Sequence, residues 1–390
     1  MYSVVDYDAM LADTVRSAAY IAAIGAAVRP GDVVVEIGTG VGFFAVAAAR
    51  AGARRVYAIE LNPAIALGPD VAKANGCSDS ITFVHGRSEL VSLPERGDVL
   101  IEDLRGVLPL EEGHIRAVVD ARSRHLRAGA RTVPVRDTLW AAPCRADSRF
   151  LEAHVTSGDA PFGIDRRAVE AKVRHAWHRA RTDAAQLFGP AAQWGAIDYA
   201  AVTSGDVDGR AEWTMTREGR IDGIAVWFDA DLGFGCGFTN APGAPKAIYG
   251  QAFFPFVHAL DVVPGDRLST ELRAKLAEDT YVWSWNTSFE PPAGSGRGGA
   301  RFRQSSLGGL ATSLTALHRR RDDHRPRPAR SAVLLRGLLM LADGTRSLRE
   351  IADALSIEHP ARFASSAAAL RYATEHLAAL EEDEALGEPR

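Results

Sequence analysis

Apolar residues recur near helical spacing at Met10, Leu11, Val15, Ala18, Ala19 and Ile21, so residues 1–30 read as helical. The period then changes. Val33–Ile37, Val56–Glu60, Ile81–Val84 and Asp98–Ile101 are short, mostly apolar runs of strand length, and Phe43–Ala51 between the first two is helical in composition. Strands alternating with helices predict a parallel sheet covered on both faces, an α/β arrangement. Past about residue 137 the texture becomes that of antiparallel strands. Runs such as WTMTREGRIDGIAVWFDADLGFG, RLSTELRAKL and TYVWSWNTSF alternate strand-like stretches with Gly and Asp turns. Within this half, Asp165–Leu187 reads as a charged helix. Residues 291–330 are rich in Gly and Ser, then in Arg and Pro, and read as a linker whose basic run is a solvated tether. Residues 331–390 follow as a compact three-helix segment.

Composition narrows the function. The 390 residues suffice for two or three domains. With 45 basic against 49 acidic residues, a net charge of −4 argues against a general nucleic-acid binder. Nearly all the positive charge is Arg, Lys occurring only at 73, 172, 246 and 275, which reads as codon bias. Cys77, Cys144 and Cys236 are scattered and odd in number, with no disulfide framework or zinc spacing, so no metal is expected and a reducing, cytoplasmic setting fits. The N-terminus carries no signal pattern and no apolar run is long enough for a membrane span.

The first candidate site joins strand to helix at Glu36-Ile37-Gly38-Thr39-Gly40-Val41-Gly42. Glycines serve where the chain turns tightly and a ligand meets the backbone. The spacing is GxGxG, distinct from the dinucleotide fingerprint and from the phosphate loop, and suits a ligand without a pyrophosphate. Glu60 closes the second strand about twenty residues on, where an acid can accept both ribose hydroxyls.

With Met10-Leu11-x-Asp13-x-x-Arg16-x-x-x-Tyr20, EIGTGVGFFAVAAARAGARRVYAIE and HGRSELVSLPERGDVLIEDL, the chain resembles the protein arginine methyltransferases. The likeness continues through FGIDRRAVEAKV, GRIDGIAVWFDADLGFG, VVPGDRL and TYVWSWNTSF and covers roughly residues 1–290. It implies a Rossmann-type domain at 1–136 that binds S-adenosylmethionine (SAM), a β-barrel-like substrate domain at 137–290 with a helical dimerisation arm at 163–190, and a homodimer. By position, Met10 would pack on the cofactor's sulfur end and Arg16 would pair with its carboxylate. Glu36, Gly38, Gly40, Gly42, Glu60 and Leu61 would hold the backbone side and the ribose, and Ser88 and Glu89 the adenine edge. The family's paired glutamates, nine apart, fall on Glu102 and Glu111, with Glu112 a competitor for the second place. A guanidinium is a poor nucleophile, and two carboxylates can hold it and polarise its charge away from the attacking nitrogen. The plainer reading of Glu111 and Glu112 is that they open the following helix. The sequence departs from the family in two places. Asp103 stands where the family has Trp, and Ala247-Ile248-Tyr249 replaces a Thr-His-Trp loop, leaving Asp13 without its histidine.

LLRGLLMLADGTRSLREIADAL resembles the small winged-helix modules of the PqqD type, which bind leader peptides, largely through the Asp343-Gly344 turn. A DNA-binding winged helix is the rival reading, and the ten acidic residues against six Arg in 331–390 speak against it. A packing or dimer-stabilising tail is the third. The expected function is SAM-dependent methylation, at nitrogen, of a peptide or amino-acid-derived substrate in natural-product biosynthesis. Small-molecule O- or N-methylation and a non-catalytic peptide-binding protein are the alternatives.

Overall fold

The computed structural model describes residues 2–155, 161–311, 313, 315, 318, 319 and 321–378. The chain divides into two compact units, Met1–Ala311 and Thr312–Arg390.

The first unit begins with two helices, α1 (Val4–Ala12) and α2 (Thr14–Ala27), where the sequence suggested one. Asp13 separates them. Its backbone leaves helical geometry, and its carboxylate caps α2 by accepting the amide N–H of Arg16. The sheet that follows holds β1 (Val33–Ile37), β2 (Arg55–Glu60), β3 (Ile81–His85), β4 (Gly97–Glu102) and β5 (Leu126–Val133), in the order β3-β2-β1-β4-β5. All four pairings are parallel. Helices α3 (Phe43–Arg50), α4 (Gly68–Ala74) and α5 (His114–Arg124) connect the strands. Every residue of β1 is buried, as expected of a central parallel strand covered on both faces. The four strands read from the sequence are all present; β5, whose LRAGARTV is half polar, was not legible as one.

Antiparallel structure begins at β6 (Arg136–Cys144), followed by α6 (Ser148–His154), α7 (Arg167–Val173) and β7 (His178–Ala180), then β8 (Ala192–Asp198), β9 (Val207–Thr214), β10 (Gly219–Gly233), β11 (Cys236–Thr239), β12 (Gln251–Val262), β13 (Arg267–Ala277), β14 (Thr280–Glu290) and β15 (Ala300–Ser305). They form two sheets, β7-β12-β10-β6-β8 with β11 alongside β10, and β15-β14-β13-β9. In β14 the alternation is strict: Tyr281, Trp283, Trp285, Thr287 and Phe289 face inward. β10 is buried from Ile221 to Phe228 because β6 and β12 flank it.

Two expectations need correction here. The helix read over Asp165–Leu187 is only α7, and the chain beyond it runs through a turn, the short strand β7 and a single 3-10 turn at Ala184–Gln186. Trp177 stacks near Phe254, Arg174 donates to the Phe256 carbonyl, and β7 pairs with β12, so barrel contacts override the local helical preference. The linker placed at 291–330 begins too early, because β15 pairs with β14 through residues 300–305 and Phe302 and Gln304 are buried.

In the second unit α8 (Arg330–Leu341), α9 (Leu348–Glu358) and α10 (Ser366–Leu377) pack around Leu334, Leu338, Ile351, Leu355, Phe363 and Leu377. Ser347 and Glu350 form a reciprocal cap on α9. Gly344 takes a φ of +77° in the turn before it, where Asp343 accepts from the Thr345 amide. The winged-helix expectation is met only in its helices: among the described residues this unit has no strand to form a wing. The end of that expected module, residues 379–390, lies outside the described residues.

Candidate active site

The carboxyl ends of β1, β2 and β4 converge at the site, where an open α/β sheet leaves its crevice. Gly38 and Gly40 have φ of +76° and +59°. A side chain at Gly38 would place its Cβ 2.5 Å from Leu104, and one at Gly40 would meet the Tyr7 ring at 2.6 Å. The loop is thus bare backbone by steric need. Glu60 ties it from β2, one carboxylate oxygen accepting Gly40 N–H at 2.9 Å and the other Asn62 N–H at 2.7 Å. Glu36, at the end of β1, is buried and accepts the Thr39 hydroxyl at 2.8 Å. Burial pushes its carboxyl up to about 8, against the pull of the Thr39 hydrogen bond.

Around this loop the other expected cofactor residues fall unevenly. Ser88 is buried, and its carbonyl accepts from Arg124 and His125. Glu89 is held by Arg116 at 3.3 Å. Met10 is half-buried and its carbonyl accepts from Arg16 Nη1 and the Ser17 hydroxyl. Leu61 is 54% exposed. Gly42 opens α3 as its cap.

Arg16 was expected to await a ligand carboxylate, yet it is engaged within the protein. Its Nε donates to Asp103 and, at 3.0 Å, to the Tyr249 hydroxyl, while no hydrogen bond within the described residues is made by Nη2. Asp103 is the hub. It accepts from Arg16, from Tyr249 Oη at 2.7 Å and from Arg105 Nη1 at 2.9 Å. These cations hold its carboxyl down, at about 2, against a burial that by itself would raise it. Arg105 in turn makes a two-pronged pair with Asp137, at 2.8 and 2.9 Å, and Tyr199 Oη donates to the same aspartate. Asp13 is not left idle by the missing histidine, since it accepts Ile248 N–H at 2.7 Å from the loop that carries Tyr249. Asp103, Arg105, Asp137, Tyr199 and Tyr249 were not identified as site residues from the sequence. A charged pair at 103 and 105 straight after an apolar strand was the available signal, but its partners lie up to 146 positions away.

Glu102 ends β4 and is buried. Its Oε2 accepts Leu104 N–H at 3.1 Å and lies 2.9 Å from His114 Nε2. Its Oε1 is buried with no hydrogen-bond partner among the described residues. Nine residues on, Glu111 is half-buried, its carboxyl against Gly106, where any Cβ would strike it at 2.3 Å. Burial and the neighbouring Glu112 charge raise the Glu111 carboxyl. Glu112 is exposed, with a φ of +24°. Neither acid stands inside the following helix, which starts at His114 behind a Gly113 cap. A buried carboxylate with an unpaired oxygen and a second acid nine residues on suit a cation, and the glycine loop tied by Glu60 suits a nucleoside.

Such a glycine loop and acid on a five-stranded parallel sheet, joined to antiparallel sheets, define a class I SAM-dependent methyltransferase. Residues 13–106 match the profile of the TRM5/TYW2 methyltransferase domain. The arginine N(omega)-methyltransferase of Streptomyces achromogenes subsp. streptozoticus is 30% identical over 270 residues, which span 68% of this chain and 74% of that protein. Protein arginine N-methyltransferase 1 of Saccharomyces cerevisiae is 26% identical over 276 residues, 68% of this chain and 79% of that protein. Matches to plant arginine methyltransferases are shorter and span 37–43% of those proteins. Among solved structures, the Trypanosoma brucei PRMT1 enzyme–prozyme heterotetrameric complex with AdoHcy superposes with a TM-score of 0.69 at 19% identity, covering 76% of this chain and 96% of that one. The chain belongs to the arginine N-methyltransferase family, and it uses SAM as its methyl donor.

Proposed function

We propose that the protein methylates a guanidino nitrogen of arginine, free or within a peptide. The vacant, buried Oε1 of Glu102 carries this reading. An uncompensated buried carboxylate oxygen is costly unless a donor arrives, and a guanidinium offers planar, charge-assisted donors. Glu111 is the second carboxylate, because it is half-buried on the loop whereas Glu112 faces solvent. SAM supplies an electrophilic methyl group on a sulfonium. The chain's own residues then bind and orient. Glu60 and the Gly38–Gly42 backbone take the ribose side, Ser88 and Glu89 the adenine edge, and Met10 and Leu61 flank them. Arg16 keeps Nη2 for a carboxylate while its Nε stays on Asp103. Glu102 and Glu111 hold the substrate cation and draw its charge away from the attacking nitrogen.

The test is direct. The full-length protein is incubated with SAM and, separately, with free L-arginine, a short arginine peptide and a long one, and the products are read by mass spectrometry. A 14-unit mass gain that fragmentation places on a guanidine supports the reading; methylation confined to hydroxyl or carboxyl groups overturns it. The three-helix unit, similar to PqqD-type modules, is proposed to dock a peptide substrate in natural-product biosynthesis. If so, removing residues 331–390 raises the KM for the long peptide alone.

Dimerisation is proposed through the segment around α7. Phe162, Ile164 and Val169 are 99%, 61% and 54% exposed there, a concentration of large apolar side chains that a monomer rarely leaves in water. Light scattering is expected to give a dimer for the wild type and a monomer for Phe162→Asp. A wild-type monomer at micromolar concentration removes this part.

Glu36 makes binding depend on pH. With its carboxyl raised from an ordinary 4.5 to about 8, it is mostly protonated at neutral pH in the free protein. The stability gained from burying it neutral is full below about 4.5 and is lost as pH rises through 8. A bound cation favours the ionised form, so SAM is expected to bind more tightly as pH rises from 6 to 8 and to release a proton. Calorimetry in two buffers of different ionisation heat measures that proton, and Glu36→Gln is expected to abolish it.

A further inference from the structure

His114 is a buried histidine that none of the roles above uses, and its surroundings specify its protons. The ring lies at the first position of α5, fully enclosed, 5.5 Å from the Tyr199 ring. Nδ1 is 2.8 Å from the carbonyl oxygen of Pro109. A carbonyl can only accept, so Nδ1 carries a hydrogen. In a neutral imidazole the other nitrogen would then be a bare lone pair. Yet Nε2 sits 2.9 Å from Glu102 Oε2, where two lone pairs in a dry interior would repel. The contact runs off the ring's N–H axis, so it is an ion-pair contact more than an aligned hydrogen bond. An imidazolium at this place turns the repulsion into attraction between opposite charges.

We propose that His114, doubly protonated, is a positioning residue that engages Glu102 Oε2 and so reserves Oε1 for the substrate's cation. The proposal rests on the arginine-methylating reading of the site. The two oxygens of Glu102 are unequal in a way that supports it. Oε2 has both the Leu104 amide and His114, and Oε1 has neither. The charges facing the ring come from the end of β4 and from the loop that follows it, with the Tyr199 phenol packed beside them. Glu102 at the end of β4 favours the imidazolium, as does the Pro109 carbonyl, and Arg105 opposes it. Glu111, on the loop before α5, is pulled down by His114 in its turn. Burial alone would neutralise the ring, but Glu102 outweighs it and leaves His114 above the ordinary histidine value. Loss of that proton at higher pH puts a lone pair against Oε2 and frees Glu102 to turn, so the pair also sets the alkaline limit of activity.

The protonation state is readable without turnover. Full-length protein labelled in its histidine rings is titrated by NMR, with His114→Gln assigning the signal. The His114 ring is expected to be doubly protonated at pH 7.5 and to lose this in Glu102→Gln. A neutral His114 ring at pH 7 overturns the proposal. Kinetics on whichever arginine substrate the wild type methylates supply the second arm. His114→Phe is expected to lose about a hundredfold in kcat, in line with loss of a charge partner, with SAM affinity unchanged. His114→Gln keeps an N–H near Nε2 that does not titrate, so it is expected to retain more activity and a flat alkaline limb. If His114→Phe fails to fold, the His114→Gln pH profile and the NMR titration decide. An active Glu102→Gln sinks the underlying reading of the site. An inactive Glu102→Gln beside a His114→Phe of normal rate and normal pH profile sinks this proposal alone.

Discussion

Glu102→Gln is expected to cut turnover by at least about a hundredfold, the usual cost of removing one charge partner from a transition state, while SAM binds as before. The substitution keeps the shape of the side chain, so the end of β4 should not move. It removes the charge that a guanidinium needs and presents an amide N–H₂ to whatever meets that end. SAM affinity should survive because the glycine loop and Glu60 are anchored on β1 and β2, separately from the Glu102 carboxyl. Single-turnover rates and calorimetry with SAM measure the two halves independently. Equal turnover in wild type and variant would show that Glu102 does not meet the reacting cation.

Asp137→Ala is expected to be the most damaging single substitution for stability, at roughly 3–5 kcal/mol, the range for breaking a buried pair from one side. Both Asp137 and Arg105 side chains are fully buried, and they meet through two parallel hydrogen bonds. The variant leaves the Arg105 guanidinium with Asp103 as its remaining carboxylate and takes the acceptor from Tyr199. Denaturant unfolding followed by tryptophan fluorescence measures the loss. Replacing both partners by apolar residues of similar volume should recover most of it, because the larger part of the cost is an unpaired charge. If the single and double variants are equally unstable, the loss is one of packing.

The same pair shows where sequence reading stopped. Arg105 and Asp137 are thirty-two residues apart, and nothing in either local pattern announces the other. Tyr249 lies in a segment that matched its family only as a departure, yet its hydroxyl reaches both Arg16 and Asp103. Arg16 itself was assigned a ligand role by position, and the sequence did not show that its Nε is held by the neighbouring Asp103, leaving Nη2 as the end that can meet a ligand. The family places a tryptophan at that neighbour's position, and no reading of one sequence could say what an aspartate there would meet. Glu111 and Glu112 were indistinguishable in the sequence because adjacent residues on a loop have no period to assign their faces. Backbone geometry at 112 and the close approach of Glu111 to Gly106 separate them.

The sequence by itself determined the parallel sheet, the glycine loop and its acid, the change to antiparallel strands and the three C-terminal helices. Each of these is written in a local signal: a period of hydrophobic residues, a glycine at a positive φ, or a cap such as Ser347 with Glu350. Only the tertiary structure decided the rest. It shortened the helix read over 165–187, because the residues after α7 gain more from docking on β12 than from helical hydrogen bonds. It turned 300–305 into the outer strand of a sheet, since an edge strand takes its pairing from a neighbour and its own pattern of two buried residues is too short to declare it. It also brought Arg16, Asp103, Arg105, Asp137 and Tyr249 together, and His114 to Glu102. Buried charges are stabilised only by partners, and partners are chosen by the fold, wherever they lie along the chain.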